Sequence, residues 1–316
     1  MSRKTFALSS IIALTAGISL AEAPKVAVDI APVHSLVARV MDGVGSPDLI
    51  IPAGASPHEY SLRPSQAASL QNADLVFWIG ESLTPWMESA IETLAEDAVV
   101  TELFEAEGIL KLPFRQGALF EEHADHDDHE GHDDHEGHDD HEGHNHDGDD
   151  PHVWLSPDNA AVWLNTIAQV LSNADPENAA QYKLNAAAGQ KELSDLSTEI
   201  EAILSPLQGR NFIVFHDAYQ YFEDSFNFYA AGAISLSDAR DPSPARIAEI
   251  QNRINDQSIS CVLSEPQYNP NIVAAVTNGA NVKMGILDPL GVGLELGKTH
   301  YFQTLRNLAT ALSGCL

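Results

Sequence analysis

Short apolar runs of β character alternate with amphipathic helical stretches along most of this chain. Residues 26–30 read as a strand, and 32–41 carry apolar positions at helical spacing. Residues 49–51, 75–79 and 99–100 continue the strand series. Helices are predicted between them over 64–70 and 85–94, each opened by a proline, whose missing N–H costs nothing in a first turn. Farther on, Ser156-Pro157-Asp158 opens a helix running to residue 171. A second helical stretch, 176–204, has apolar positions at Leu193, Leu196, Ile200, Ile203 and Leu204. At 1.5 Å per residue it would be about 40 Å long, enough to run the length of a two-lobed protein. The strand pattern then restarts at 212–215, 228–231, 259–263 and 282–287, with helices from Pro244, from Asn271 and over 300–312.

Such alternation implies βαβ units and mostly parallel sheets. At 316 residues the chain is long enough for two domains of ordinary size. The simplest architecture is an α/β fold of two lobes, 22–175 and 205–316, joined by the linking helix 176–204. A single larger α/β domain also fits the pattern.

One segment has neither period. Residues 121–150 read EEHADHDDHEGHDDHEGHDDHEGHNHDGDD, with Asp-Asp-His-Glu-Gly-His repeated without a gap from Asp127, Asp133 and Asp139. Fifteen acidic residues and nine histidines share it, with no Lys or Arg. It holds no bulky apolar side chain to offset ordering entropy, so 117–150 is expected to be a disordered loop. Neutral imidazole is a good ligand for zinc, copper and nickel, and carboxylates add attraction for any cation. An ordinary acidic linker has no use for histidine at nearly every third position. The composition therefore points to a transition metal.

The charge balance agrees. The formal charge is −30, and removing the 15 carboxylates of the run still leaves −15. That excess argues against nucleic acid or an anionic membrane as partner and favours a cation. The first residues read as a secretory signal: Arg3 and Lys4 precede an apolar stretch, 6–20, too short to span a bilayer comfortably. Ser19 and Ala21 place cleavage after Ala21, giving a signal peptide over 1–21 and an exported, soluble mature protein. No later segment is apolar and long enough to cross a membrane. Cys261 and Cys315 are the only cysteines, and in an oxidising compartment an even pair is expected as a disulfide rather than as two buried thiols.

Five histidines lie outside the run: 34, 58, 152, 216 and 300. His58 follows the strand 49–51, in Pro-His-Glu-Tyr; His152 sits in Asp-Pro-His-Val-Trp; His216 immediately follows Phe-Ile-Val-Phe. Asp288 ends the strand 282–287. His58, His216 and Asp288 thus fall just beyond carboxyl ends of strands, where open α/β sheets place their ligands. A lone loop histidine is more often an exposed or capping residue; the case rests on the three occurring together in a chain already rich in metal ligands. His34, on a predicted helix, and His300, opening another, read as structural.

The strings Gly-Ala-Ser-Pro-His-Glu-Tyr-Ser-Leu-Arg-Pro (54–64), Asp-Pro-His-Val-Trp-Leu (150–155), Phe-His-Asp-Ala-Tyr (215–219) and Arg-Asp-Pro-Ser-Pro (240–244), in that order, resemble the periplasmic zinc-binding proteins of ABC importers, the ZnuA type. The likeness spans essentially the whole mature chain and includes the acidic histidine-rich insertion and the paired cysteines. It implies two four-stranded α/β lobes with the metal in the cleft between them, and a zinc ion as transported ligand. It implies a periplasmic location, delivery to a cognate ABC permease and a monomeric state. The family's three histidine ligands fall on His58, His152 and His216. The fourth position varies among members. Pro57 stands where some carry a glutamate, so Asp288 or water is expected here. Manganese-importing relatives replace one histidine by a carboxylate, whereas position 216 is His, which favours zinc. Copper is left open by affinity order alone. A zinc hydrolase is not expected, since no HExxH helix is present, and an extracellular metal buffer or adhesin is the remaining alternative.

Overall fold

The computed structural model describes residues 23–115, 120, 148–235 and 242–316. The expected signal segment and the expected disorder of the histidine-rich run lie outside the described residues.

Two sheets of four parallel strands are present among the described residues. The first contains β1 (Val26–Val28), β2 (Asp48–Leu49), β3 (Leu75–Trp78) and β4 (Val99–Glu102), in the order β2-β1-β3-β4. The second contains β5 (Phe212–His216), β6 (Ala233–Ser235), β7 (Cys261–Ser264) and β8 (Lys283–Ile286), in the order β6-β5-β7-β8. The same winding is therefore used twice. The central strands β1, β3 and β5 are buried throughout. Their unbroken apolar runs suit sheets covered on both faces. Around them lie α1 (Ala31–Val40), α2 (Pro64–Gln71), α3 (Pro85–Leu94), α4 (Pro157–Ala174), α5 (Ala179–Leu204), α6 (Gln220–Phe226), α7 (Pro244–Asp256), α8 (Pro270–Val276) and α9 (His300–Cys315).

The long helix α5 links the lobes and has 26 residues, about 39 Å at 1.5 Å each. It begins three residues later than the pattern suggested. Asp175 instead organises a turn between α4 and α5, accepting from Tyr182 Oη at 2.7 Å and Asn178 Nδ2 at 2.8 Å. The two helices then pack so closely that a Cβ on Gly189 would lie 2.9 Å from Leu164 Cδ1. Glycine is retained in the helix because contact, not propensity, decides there.

Two local readings needed correction. Residues 228–231 do not form a strand; Phe228 is buried and stacks on Phe212 at 5.3 Å, and β6 starts at Ala233. Helix α6 was not anticipated, being only seven residues long with aromatic residues at half-buried spacing.

Helix α9 is seated on both halves of the molecule, against β8 on one side and α1 and α5 on the other. The Tyr301 amide donates to Ser35 Oγ at 2.9 Å, and its hydroxyl donates to the Trp154 carbonyl at 2.7 Å. Trp154 Nε1 in turn donates to the Pro289 carbonyl at 3.0 Å. These bonds hold the cleft walls from beneath.

The Cys261–Cys315 disulfide forms, with Cα atoms 5.7 Å apart, and ties β7 to the end of α9. Closing so long a loop stabilises a fold by up to about 4 kcal/mol in the chain-entropy model. Reduction, or Cys315→Ser, is expected to lower the free energy of unfolding in denaturant titrations by about 2–4 kcal/mol; an unchanged transition midpoint would contradict this.

Asp29, wholly buried at the end of β1, accepts from the amides of Ile30 and Ile79, both at 2.7 Å, and so pins β1 to β3. Burial pushes its carboxyl up to about 7 from 3.8. The folded chain thus binds a proton that the unfolded chain has released, and this group's contribution makes stability fall as pH rises from about 4 to about 7. Carboxyl NMR should find Asp29 protonated at pH 5; an ionised side chain at that pH would refute it.

Candidate metal centre

Three loops bring the site together. His58 lies in the 52–63 segment between β2 and α2, whose shape is fixed by Trp86 Nε1 donating to the Pro57 carbonyl at 2.8 Å. Gln267 Nε2, from the other half, donates to the Ala53 carbonyl at 3.1 Å and holds the same segment across the cleft. His152 precedes the short 3-10 turn Val153–Leu155 that leads into α4. His216 is the last residue of β5.

The donor atoms of His58, His152 and His216 all lie within 4.8 Å of one another. His152 and His216 are buried, 1 % and 3 % exposed, while His58 is half-buried. The Nε2 atoms of His152 and His216 are 3.4 Å apart. Two imidazole nitrogens on a tetrahedral zinc, each about 2.0–2.1 Å from the ion, stand about 3.3–3.4 Å apart. The spacing already matches a shared ion. Beside them the cavity has ≈ 10 Å³ of free space, walled by Ser56, Trp154, Tyr268 and Leu290. That is room for about one water-sized occupant, not for an organic substrate.

Carboxylates set the orientation of two of the rings. His152 Nδ1 stands 2.7 Å from Asp150 Oδ1, which also accepts from the His152 amide at 2.9 Å. His216 Nδ1 stands 2.7 Å from Glu265 Oε1. A carboxylate accepting Nδ1–H leaves the Nε2 lone pair bare and more basic, which is how proteins prepare histidine for a metal. Asp150 and Glu265 are themselves buried, and Asp150 Oδ2 has no hydrogen-bond partner among the described residues. Buried anions of this kind are costly without positive charge nearby. A dication would supply it.

Asp288 is not brought into this group. Its Oδ1 accepts from the amides of Leu290 and Gly291 and from Gln267 Nε2, and its Oδ2 from the Val292 amide. It therefore shapes the turn that carries Pro289 and Leu290 into the cleft wall. His34 and His300 stand apart as well: each is buried with Nε2 against a carbonyl, of Pro47 at 3.0 Å and of Leu290 at 2.8 Å. Burial holds the His34 imidazole below its ordinary pKa. Sequence reasoning passed over Asp150 and Glu265. Glu265 immediately follows β7, so the strand-end rule that singled out His216 would have found it too.

The family described as zinc-uptake complex component A periplasmic (ZnuA) matches residues 26–315. The chain belongs to the ZnuA family. The high-affinity zinc uptake system protein ZnuA of Brucella abortus (strain 2308) is 45% identical over 326 residues, covering 98% of this chain and 97% of its own. The protein of the same name from Paracoccus denitrificans (strain Pd 1222) is 43% identical, covering 94% and 93%. A crystal structure of ZnuA has the same fold, with a TM-score of 0.75 at 23% identity over 93% of this chain and 99% of that one.

Removing an outer carboxylate while keeping its volume isolates its effect on the rings. Asp150→Asn and Glu265→Gln are each expected to weaken zinc binding by about 10–100-fold in chelator competition, because a neutral amide oxygen is a weaker acceptor for Nδ1–H than a carboxylate. Affinities equal to the parent's would show that the rings are oriented by something else.

Proposed function

We propose that the protein captures zinc between its lobes and hands it to the membrane permease of an ABC importer. The observation that carries this reading is the 3.4 Å separation of His152 and His216 Nε2, with His58 completing a three-nitrogen face. Membership of a zinc-uptake family supports the same ion. Neutral imidazoles suit zinc, while a harder cation such as manganese prefers oxygen donors.

In this reading His58, His152 and His216 are the protein ligands, and the fourth position is Asp288 or water. The hydrogen bonds that engage both Asp288 oxygens in the 288–292 turn favour water. Ligation leaves zinc an open side, which suits an ion that must be surrendered rather than retained. The protein works in the periplasm as a soluble monomer after removal of residues 1–21. No helix among the described residues is long and apolar enough to cross a membrane. The repeats of 121–147 act as an auxiliary collector: many weak sites close to one tight one raise the local supply of ion. The family transports a substrate rather than transforming it, and a cavity sized for one small occupant agrees.

The test is zinc titration of the intact protein, a form lacking 121–147, and His216→Ala. The deletion stops at 147 because Asp149 and Asp150 belong to the folded part. His216→Ala is expected to lose the tight site by more than about 100-fold, beyond the cost of losing an outer partner. The deletion should keep that site and lose only the weaker ions. A deletion that abolished the tightest binding would overturn the assignment.

A further inference from the structure

The ends of the histidine-rich insertion are not free in the structure. They form a narrow antiparallel neck in which Pro113 bridges Asp149, the Asp150 amide donates to the Leu112 carbonyl at 2.8 Å, and the Phe114 amide donates to Gly148 at 3.2 Å. The neck belongs to the first half of the chain; Asn159 of α4 bonds both the amide and the carbonyl of Leu110, at 2.7 and 3.0 Å. Yet it is docked on the second half. Tyr221 of α6, fully buried, places its hydroxyl between the two strands of the neck, accepting from the Leu112 amide at 2.9 Å and donating to the Asp150 carbonyl at 2.8 Å.

Arg115 completes the docking. Its Nε donates to both oxygens of Asp217, at 2.9 and 3.1 Å, its Nη2 pairs with the same carboxylate, and its Nη1 donates to Glu223 at 2.5 Å. The side chains of Arg115, Asp217 and Glu223 are only 16%, 9% and 2% exposed. Asp217 is the residue after His216, and Asp150, whose backbone Tyr221 holds, is the residue that orients His152. The guanidinium thus grips the residue next to His216, while Arg115's own neck, through Tyr221, is tied to the Asp150 that orients His152 in the opposite lobe. The Asp217 and Glu223 carboxylates both lie against this one guanidinium. With Arg115 removed, like charges on the two lobes would face each other beside the cleft.

We propose that Arg115 is an interlobe positioning residue: its two-carboxylate clasp on Asp217 and Glu223 holds the His216 strand end in register with the Asp150–His152 loop before zinc arrives. The inference rests on the zinc-site reading above. Preorganisation means that binding does not have to bring the lobes together, so affinity gained this way is retained mainly through slow release. Arginine is needed rather than any cation, because its planar fork engages Asp217 with two nitrogens while a third reaches Glu223.

The test uses the full-length mature protein with Arg115→Gln, Arg115→Lys, Asp217→Asn and His216→Ala, with three readouts. These are zinc Kd by chelator competition, the zinc release rate, and melting temperature with and without zinc. Arg115→Gln and Asp217→Asn are expected to weaken Kd about 10-fold or more, chiefly through faster release, and to shrink the rise in melting temperature that zinc produces. Arg115→Lys keeps the charge without the fork and should restore only part of the affinity. Should Arg115→Gln fail to fold, Arg115→Lys and Asp217→Asn carry the test, each retaining one half of the clasp. A clasp that merely stabilised the fold would lower both melting temperatures together and leave Kd unchanged. That pattern, with His216→Ala still losing tight binding, overturns the clasp alone. Tight binding retained by His216→Ala would instead overturn the site reading beneath it.

Discussion

Two imidazole nitrogens from different halves of the molecule stand 3.4 Å apart, and much of the surrounding structure serves to keep them there. Neither ring is aimed by backbone alone. Each is gripped from behind by a buried carboxylate, Asp150 for His152 and Glu265 for His216. That arrangement leaves lone pairs converging on a space of ≈ 10 Å³. A cation of small radius relieves the crowding of lone pairs and the burial of anions in one step.

Holding nitrogens from two lobes at such a spacing requires a frame with little freedom to hinge. Helix α5 lies against α4 with no room for a Cβ at Gly189, so the helix cannot slide without opening a gap. Helix α9 adds a second strut, because Tyr301 bonds Ser35 above and the Trp154 carbonyl below. Arg39 on α1 pairs with Glu192 on α5 through two nitrogens, at 3.0 and 2.8 Å, fixing the same helices from their outer side. The lobes are therefore joined by packing over much of their contact rather than by one flexible segment. The cleft itself is walled by two loops, 52–63 and 288–292, that lie outside this helical frame.

How much of this could be read in the residues depended on whether a feature is local. The parallel character of both sheets was legible in the strand–helix alternation, since buried strands announce themselves as apolar runs bounded by turns; the strand order, set by long-range pairing, was not. His58, His152 and His216 were legible because they sit at strand ends or in proline-fixed loops. Phe228 was misread for the same reason that makes it useful: an aromatic apolar run looks like a strand, whereas here its ring fills the core against Phe212. Asp288 was placed correctly at a strand end, but a carboxylate followed by Pro and Gly is also ideal for gathering the amides of a turn, and local amides are nearer than the cleft. Glu265 lies 49 residues from the histidine it grips, and such pairing has no trace in spacing.

The charges around the cleft bear on why the candidate site is built from imidazoles rather than carboxylates. Asp150 and Glu265 are buried against the imidazoles, and Asp217 and Glu223 pair with Arg115 beside them. A carboxylate in direct contact with the ion would add Coulomb attraction on top of that background and slow release further. Three imidazoles give direction and softness while leaving the attraction to groups one bond away. Distance would then do the tuning: interaction through an imidazole spreads the negative charge over a longer path than direct carboxylate contact does.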